Sequence, residues 1–372
     1  MIPVKRIGVA AVGDVLDINT WSNIPYFFYT AGQNAGIFSE PWRLALHRLR
    51  NRRIAWNIKQ MALGRGKGGY QYTRDFVQAC EDQIPPEYFS STVISFNQLF
   101  PRAESVKKAG GKIYYYIDIT LDELFKADVY NVRIPDRMKR LAIEQETENY
   151  RTADAVVSMG HWIHPSLREY YKVGPSKVLQ ILPGANINIP EGFNFIPRSN
   201  NELVLGFVGK DWRRKGLLLL LDVASKLRMR GVKCRVKVIG PHPHEFRQND
   251  AVEFTGFIDK QTATTRFIKE VSSCDFGCLL SSSEALGIST LEFLRLGVPV
   301  IGFYHQGLID TLLEGASIRI DPNASADEIA DKIESVVLDQ DKMNELKHGA
   351  GRSGKTVTWE TCVAQWSRII NG

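Results

Sequence analysis

Two glutamates and a glycine lie close together in one stretch of the C-terminal half, SSSEALGISTLEFLRLGVPV at 281–300. Glu284 stands in a loop before Gly287-Ile288, where a helix is expected to begin, and Glu292 lies one to two turns into that helix. A helix N-terminus offers backbone N–H groups and a positive dipole end, which suit a phosphate. The carboxylates could accept hydrogen bonds from sugar and ribose hydroxyls. On its own, this spacing fits a solvated helix better than a site.

A basic loop earlier in the same half strengthens the case for an anionic ligand. In LGFVGKDWRRKGLLLLL (205–221) an apolar strand ends at Gly209 and an apolar helix opens at Gly216. Such a turn lies at the carboxyl end of a strand, where doubly wound sheets bind ligands. A solvated basic loop is the weaker alternative, because the apolar flanks direct the charges outward. The cations, which suit a diphosphate, are Lys210, Arg213, Arg214 and Lys215.

Strands and helices must alternate for these loops to meet at one edge of a sheet. The N-terminal half contains the strand-like runs RIGVAAVG, STVISF, KIYYYIDI, AVVSM and VLQIL. The C-terminal half alternates more regularly, with strands expected at 203–209, 234–240, 252–257, 275–280 and 298–303. Helices are expected there at 216–230, 261–272, 287–296 and 326–338. The pattern predicts an α/β chain with two Rossmann-like, doubly wound domains facing a cleft.

The domain boundary is expected in 183–202, which is rich in Pro, Gly and Asn and has no periodicity. The prediction is an N-terminal domain at 1–190 and a C-terminal domain at 200–355. A terminal helix in 356–372 is expected to cross back to the N-terminal domain.

The C-terminal half resembles the nucleotide-binding domain of the family 4 (group 1) retaining glycosyltransferases, which have the two-domain GT-B fold. The motifs that carry the resemblance are FVGKDWRRKG and EALGISTLEFLRLGVPV. These motifs are similar to the pattern of the family. That pattern has a strand ending in Gly, a basic loop with Lys-Gly, a Glu-Gly-Phe-Gly…Leu-Glu segment and Gly-Val-Pro-Val. The resemblance covers 203–325 well and extends weakly to the N-terminal half through INTWSNIPY and VLQILPGANI.

The resemblance implies a role for each matching residue, all around a nucleotide-diphosphate sugar. Glu284 would contact the transferred sugar, the backbone of Leu286, Gly287, Ile288 and Ser289 would hold sugar and phosphates, and Glu292 would bind the ribose. Lys215 would neutralise the departing phosphate, with Arg214 and Lys210 beside it. Gly13 would approach the donor phosphate from the N-terminal domain. The chain departs from its relatives at Lys210, Asn23 and Gln306, where they often carry Arg, Gly and Gly.

Asp118 follows the strand KIYYYI and points, on this prediction, into the cleft as a catalytic residue. Two interpretations stay open: contact with the sugar or acceptor, as relatives often show nearby, or capping of the following helix. The family resemblance implies transfer with retention, a saccharide or lipid-linked acceptor, and no metal or other cofactor. His242 and His244 with Glu245 are interpreted as a solvated loop, and Cys274 and Cys278 as core residues.

Residues 349–356, GAGRSGKT, match the P-loop pattern, including Lys355 and Thr356. A polar helix precedes them in place of a buried strand, and few residues follow. The interpretation is a flexible loop that resembles the motif only in composition.

Residues 43–69 carry eight lysines and arginines and no acidic residue. Such a block suits an anionic membrane, nucleic acid or an acidic acceptor, and a solvated helix face is about as good an explanation. The hypothesis is that 42–69 lies on an anionic membrane facing a lipid-linked acceptor. Trp42 and Trp56 are then interfacial anchors or, alternatively, core residues.

The composition of the 372 residues, 44% apolar and 24% charged, excludes a disordered chain, a disulfide miniprotein and a fibre. The five cysteines suggest reduced thiols in the cytoplasm. The basic segment at 42–69 suggests that the protein is peripheral on the inner membrane face. The main prediction is a hexosyltransferase, with no nucleic acid as partner. The alternatives are a GT-B nucleotide-sugar epimerase, or a non-catalytic basic protein that binds nucleic acid or membrane.

Overall fold

Short apolar runs build the sheet of the N-terminal unit. Its longer strands are almost entirely buried, because helices cover both faces of a parallel sheet. All pairs are parallel, in the order β2-β1-β3-β4-β5-β6. The strands are β1 Ile7–Ala10, β2 Glu40–Pro41, β3 Thr92–Ser95, β4 Lys112–Ile117, β5 Ala155–Ser158 and β6 Val178–Gln180.

The helices of this unit pack a core rich in aromatic side chains. Trp42, Phe100, Tyr115 and Tyr150 are fully buried in it. The helices are α1 Ile24–Asn34, α2 Arg50–Ala62, α3 Arg74–Glu81, α4 Ala103–Lys108, α5 Leu121–Lys126 and α6 Asp136–Thr152.

A second parallel sheet forms the C-terminal unit, in the order β12-β11-β10-β7-β8-β9. Its strands are β7 Leu203–Val208, β8 Cys234–Ile239, β9 Val252–Gly256, β10 Phe276–Leu279, β11 Val300–Phe303 and β12 Ser317–Ile320. Its helices are α7 Leu217–Met229, α8 Thr264–Ser272, α9 Ile288–Arg295, α10 Leu308–Thr311, α11 Ala326–Val337 and α12 Gln340–Gly354.

The computed structural model describes residues 6–127, 134–190, 202–240, 246 and 250–371. By its internal contacts the chain divides into Met1–Leu182 with Cys362–Gly372, and Pro183–Thr361. The last helix, α13 at Trp359–Asn371, therefore begins in the C-terminal unit and continues in the N-terminal unit. There the ring of Trp366 is fully buried, 5.2 Å from that of Tyr116. The predicted α/β class, with two parallel sheets flanked by helices, is confirmed.

The flexible loop predicted at 349–356 is wrong. Helix α12 continues to Gly354, and Lys355 caps its end. Gly349 and Gly354 are needed for packing, since a Cβ at either would overlap the backbone of Gly315 or Leu294. A helix uses its own N–H groups internally, so this segment does not form the phosphate cradle of a P-loop.

No helix among the described residues is long and apolar enough to cross a bilayer.

Candidate functional site

The order of the C-terminal sheet places two loops side by side at its carboxyl edge. From β7 the chain proceeds through β8 and β9 on one side, and then returns to add β10 on the other. The crevice at such a reversal is where open α/β sheets bind ligands. The loops that follow these two neighbouring strands are 209–216 and 280–287, which hold the cations and the glutamate singled out from the sequence.

Glu284 is the centre of a buried ionic cluster formed by these loops. Its Oε1 atom lies 3.0 Å from Nη1 of Arg214 and 3.2 Å from Nζ of Lys215. Ser281 donates its hydroxyl to the same oxygen at 3.1 Å. The side chain of Glu284 is only 8% exposed, so water screens these interactions weakly.

Two opposing effects set the pKa of Glu284. Burial favours the neutral acid and raises the pKa, whereas the charges and hydrogen bonds of Lys215 and Arg214 lower it. The cations prevail, and the pKa lies below its ordinary value. The cluster therefore presents an ionised carboxylate and two cations at the strand ends.

A glycine creates the space that Lys215 occupies. A Cβ at Gly209 would overlap the aliphatic stem of Lys215, whose side chain is 13% exposed. The stem thus lies directly against the end of β7, and its ammonium group reaches Glu284. The predicted pattern of a strand, a glycine and a basic loop is explained at this position: only glycine leaves room for the stem of Lys215.

The backbone of the glutamate loop is fixed by Gln306, a residue whose role the sequence did not reveal. Its Oε1 accepts hydrogen bonds from the Ser283 hydroxyl at 2.6 Å and from the Glu284 N–H at 3.0 Å. Gln306 adopts a positive φ of 44°, a conformation that favours glycine. Gly307 donates its N–H to the Glu284 carbonyl at 3.0 Å, which completes the attachment.

Helix α9 begins directly after this loop, as predicted. Gly287 precedes it with a φ of 78°, in the left-handed region that a side chain would strain. Leu286 and Ser289 are buried on either side of this start, at the positions predicted to hold sugar and phosphates. Thr290, in the first turn, donates its N–H to the Gly287 carbonyl at 2.9 Å. The N–H groups of Ile288 and Ser289 precede the first hydrogen bond of the α-helix and have no partner within it.

Glu292 lies on the same helix and is almost fully buried. Its carboxylate forms an ion pair with Lys260, a residue that the sequence analysis missed. The ammonium of Lys260 also lies 4.6 Å from the ring centre of Phe267. Lys260 follows β9 by four residues, so only the fold brings it to α9.

Lys210 and Arg213 extend away from the carboxylate cluster. Lys210 is exposed, and its Nζ lies 4.4 Å from the ring centre of Phe257, which is itself 58% exposed. Arg213 lies over the ring of Trp212 at 4.0 Å. Of the four cations of the basic loop, Arg214 and Lys215 contact Glu284.

In the N-terminal unit, Gly13 follows β1 in the turn where the sequence predicted a glycine loop. Its φ is 142°, and a Cβ would lie 2.9 Å from Thr20 atoms. Asn23, which stands where relatives often carry Gly, has a φ of 70° and precedes α1. Trp21 and Ser22 also have positive φ, so three consecutive residues other than glycine are left-handed.

Asp118 lies half-buried directly after β4, where it was predicted. Its carbonyl accepts a hydrogen bond from the Trp162 indole at 3.1 Å. The alternative that Asp118 caps the next helix is wrong, because the Thr120 hydroxyl accepts the N–H of Glu123 at the start of α5. Asp118 and Gly13 belong to the N-terminal unit, whereas Glu284 and Lys215 belong to the C-terminal unit.

Cysteine and histidine provide no metal centre in the described part of the chain. All five cysteines are free and buried, Cys274 and Cys278 included, as predicted for core residues. Among the described residues, no group of three or more His, Cys, Asp or Glu is placed to hold a metal ion. His242, His244 and Glu245 lie outside the described residues.

The basic segment at 42–69 contains two tryptophans for which the sequence left a membrane anchor and a core position open. Trp42 is fully buried in the core, 5.1 Å from the ring of Phe89, so the core alternative is correct for it. Trp56 is partly buried, and its indole donates to the Gly68 carbonyl at 3.3 Å.

Known proteins resemble this chain both in the sequence of its C-terminal half and in its fold. Residues 188–352 match the model of the glycosyl transferases group 1. A relative, the D-inositol 3-phosphate glycosyltransferase of Kribbella flavida, is 22% identical over 261 residues. That alignment covers 65% of this chain and 61% of the relative, which is less than two thirds of the relative's length.

Solved structures resemble the chain over nearly its whole length. Sucrose-phosphate synthase from Thermosynechococcus elongatus has a TM-score of 0.65 at 15% identity, covering 99% of this chain and 98% of that one. A glycosyltransferase from Rickettsia africae has a TM-score of 0.65 at 14% identity, and the match covers 98% of this chain and 97% of that one. HepE from Anabaena, solved with UDP and glucose, gives 0.62 at 15%, covering 99% of each chain. The chain thus has the fold of the GT-B glycosyltransferases, and its C-terminal unit carries the match to the group 1 glycosyl transferases.

Proposed function

We propose that this chain is a retaining hexosyltransferase that moves a sugar from a nucleotide-diphosphate sugar to a saccharide or lipid-linked acceptor. One observation carries the proposal: the buried Glu284 carboxylate lies between Lys215 and Arg214 at the reversal point of the C-terminal sheet. The group 1 match over 188–352 supports it. The structural neighbour HepE, solved with UDP and glucose, supports a nucleotide-sugar as the donor.

In the proposed reaction, the C-terminal unit stabilises the departing diphosphate. Lys215, Arg214 and the start of α9 supply positive charge that is already in place before the reaction. Glu284 accepts a hydrogen bond from a hydroxyl of the transferred sugar, and Glu292 accepts from the ribose. Lys210 and the backbone near Gly256-Phe257 contact the nucleotide. Gly13 approaches the phosphates from the N-terminal unit.

Retention follows if the acceptor attacks from the face that the diphosphate leaves. The bond between the anomeric carbon and the phosphate oxygen breaks, and a bond to the acceptor oxygen forms on the same face. The acceptor proton passes to the departing phosphate oxygen, so no carboxylate nucleophile and no metal is needed. Asp118 would contact the sugar or the acceptor.

The transfer assay tests this with charge variants that preserve shape. Lys215→Met keeps the stem against Gly209, and Glu284→Gln keeps the hydrogen-bonding outline. Each should lower turnover by about a hundredfold or more, as loss of preorganised charge does elsewhere. Lys226→Met is the matched control: Lys226 is half-buried in the last turns of α7, pairs with Asp327 at 3.0 Å, and should leave turnover unchanged when replaced. Near-normal turnover in both site variants would overturn the assignment.

The same assay distinguishes a transferase from the alternative enzyme class, an epimerase. An epimerase would consume the donor without an acceptor, whereas a transferase requires one. The anomeric configuration of the product, followed by proton NMR, tests retention: inversion would contradict the proposed mechanism.

We also propose that the protein works in the cytoplasm, at the surface of an anionic membrane. The five buried free thiols support a reducing compartment. One outer stripe of α2 supports the membrane: Ile54, Ile58 and Met61 are 44%, 63% and 63% exposed and recur at helical spacing. Cations flank this stripe, as membrane-surface helices require.

A further inference from the structure

The side chain of Gln306 holds the glutamate loop (280–287) by its main chain and not by its carboxylate. Its Oε1 accepts a hydrogen bond from the Glu284 N–H at 3.0 Å and a second from the Ser283 hydroxyl at 2.6 Å. Ser283 and Glu284 are each 7% exposed, so water replaces these bonds poorly. A buried donor that loses its acceptor is costly. The position of the main chain at Glu284 therefore depends on one side-chain oxygen.

The residues on either side of Gln306 bond to the same loop. His305 donates from Nε2 to the Ser281 carbonyl at 2.9 Å. Gly307 donates its N–H to the Glu284 carbonyl at 3.0 Å. Three successive residues after β11 are therefore attached to the loop that carries the carboxylate.

Gln306 adopts a main-chain conformation that is costly for its residue type. Its φ of 44° lies in the left-handed region, which glycine adopts without strain. Strained residues persist only where their surroundings hold them, and they are concentrated at functional sites. A glycine would relieve this strain but would offer no side-chain oxygen to the glutamate loop. The conformation thus indicates that the hydrogen bonds of the Gln306 amide hold it in place.

Arg214 holds the glutamate loop from the opposite flank. Strand β10 lies between β11 and β7, so the loops that follow β11 and β7 lie on either side of the glutamate loop. Arg214 donates from Nη1 to the Ser283 carbonyl at 2.7 Å, and its own carbonyl accepts the Ser282 N–H at 2.9 Å. Arg214 and Lys215 also pair with the Glu284 carboxylate. Cations therefore hold the loop on one flank, and a neutral amide holds it on the other.

The two flanks differ in how they respond to a bound diphosphate. Phosphate oxygens form the same charge-assisted hydrogen bonds as a carboxylate, so a diphosphate competes with Glu284 for Arg214 and Lys215. The hold of these cations on Glu284 weakens to the extent that they turn to the phosphates. The hydrogen bonds of Gln306 are neutral and end on the main chain and a hydroxyl, so an anion does not compete for them.

We propose that Gln306 is a positioning residue for the transfer reaction: its amide oxygen keeps Glu284 at the transferred sugar while Arg214 and Lys215 hold the diphosphate. The inference rests on the proposed transferase function and adds to it a residue that acts through Glu284. Loss of the amide oxygen therefore lowers turnover, whereas the affinity for the diphosphate, which the cations determine, is retained.

Two variants of the full chain at this position test the role. Gln306→Met keeps the length of the side chain and the left-handed strain but offers no acceptor, whereas Gln306→Glu keeps an acceptor oxygen. The assay follows release of the nucleoside diphosphate from UDP-glucose, GDP-glucose and ADP-glucose. On the probe that the wild type consumes, Gln306→Met should lower kcat by about tenfold or more and change KM by less than about threefold. Gln306→Glu should restore kcat to within about threefold of the wild type.

The matched control is Gln340→Met, the same substitution at an exposed glutamine of the same unit. Gln340 donates to Asn344 on its own helix, α12, and its replacement should leave kcat unchanged. An unchanged kcat in Gln306→Met, a loss confined to KM, or no recovery in Gln306→Glu would rule out the positioning role.

Amide hydrogen exchange measures the attachment of the loop itself and requires no sugar donor. Peptides that contain the Glu284 N–H should exchange about tenfold or more faster in Gln306→Met than in the wild type or Gln306→Glu. The difference should persist when UDP, GDP or ADP, whichever binds, is present at saturation. Equal exchange in all three proteins, or a difference that the nucleotide abolishes, would show that another group holds Glu284 and would refute the inference.

The nucleotide arm of this experiment separates the inference from the proposed function. If a nucleotide binds and Lys215→Met abolishes its binding, while exchange in Gln306→Met equals that of the wild type, only the role of Gln306 fails. If UDP, GDP and ADP all fail to bind, the transferase proposal fails, and the role of Gln306 in the reaction fails with it.

Discussion

Single buried carboxylates have opposite environments in the two units. Glu284 is ionised because Lys215 and Arg214 outweigh its burial. Glu146, on α6, forms no ion pair with any cation in the described ranges; its oxygens accept hydrogen bonds from Tyr150 at 2.6 Å and from the Leu121 N–H at 3.0 Å. Tyr171 also donates to it. Burial raises the pKa of Glu146 to about 8, although these hydrogen bonds oppose the rise.

The raised pKa of Glu146 predicts that stability falls as pH rises. Between the ordinary pKa of 4.5 and about 8, the folded chain binds a proton that the unfolded chain has lost. The contribution is fully present below that window and lost above it. One proton corresponds to a slope of about 1.4 kcal/mol per pH unit in the free energy of unfolding.

Glu146→Gln isolates this contribution, because the amide cannot titrate. Denaturant unfolding across the window should show a steeper decline for the wild type than for the variant. Parallel pH profiles for the two proteins would contradict the assignment.

The sequence identified site residues only where they directly follow the end of a strand. Lys215 and Glu284 were placed together because each follows a buried strand of one parallel sheet, and carboxyl ends meet at one edge. The sequence did not identify Gln306 and Lys260 as site residues. Both lie on separate loops, and no local sequence pattern shows that their side chains reach the site. The three left-handed residues at 21–23 also have no sequence signal beyond Asn23.

Helices and strands were predicted best where burial determines the sequence pattern. Every strand expected at 203–303 is present. Strands β7, β10 and β11 are continuous apolar runs, as strands buried on both faces are, whereas the edge strand β9 is only half-buried. The end of α12 was missed because its glycines indicated a loop, whereas close packing on the backbone of 294 and 315 requires them. Short edge strands such as β2, with two residues, have no pattern to recognise.

Helix α2 provides a prediction of its own. If its exposed apolar stripe lies on an anionic membrane, Ile54→Glu with Ile58→Glu should weaken binding by roughly tenfold, through lost apolar burial and added repulsion. Cosedimentation with vesicles containing phosphatidylglycerol measures this, with pure phosphatidylcholine vesicles as the neutral comparison.

The matched control for α2 is Leu338→Glu, which adds a charge at an equally apolar residue, 75% exposed, in the C-terminal unit. Its vesicle binding should equal that of the wild type. Equal sedimentation with anionic and neutral vesicles would remove the membrane proposal.

On the scale of the whole molecule, the two units have the same sheet architecture but carry different functional side chains. Each is a six-stranded parallel sheet whose strand order reverses once, and each carries chemical groups in the loops beyond its carboxyl edge. The C-terminal unit offers an ionised carboxylate with two cations, and the N-terminal unit offers a glycine turn and Asp118. We propose that the C-terminal unit holds the donor and the N-terminal unit the acceptor.

Nucleotide binding by the full chain is the most direct test of this account. A thermal-shift series with UDP, GDP, ADP, TDP and ATP with magnesium compares the wild type with Lys215→Met and Lys355→Ala. A ligand that binds only the folded chain raises its unfolding temperature. We expect a shift with at least one diphosphate, which Lys215→Met abolishes and Lys355→Ala retains. A shift that occurs only with ATP and depends on Lys355, or no shift with any nucleotide, would contradict it.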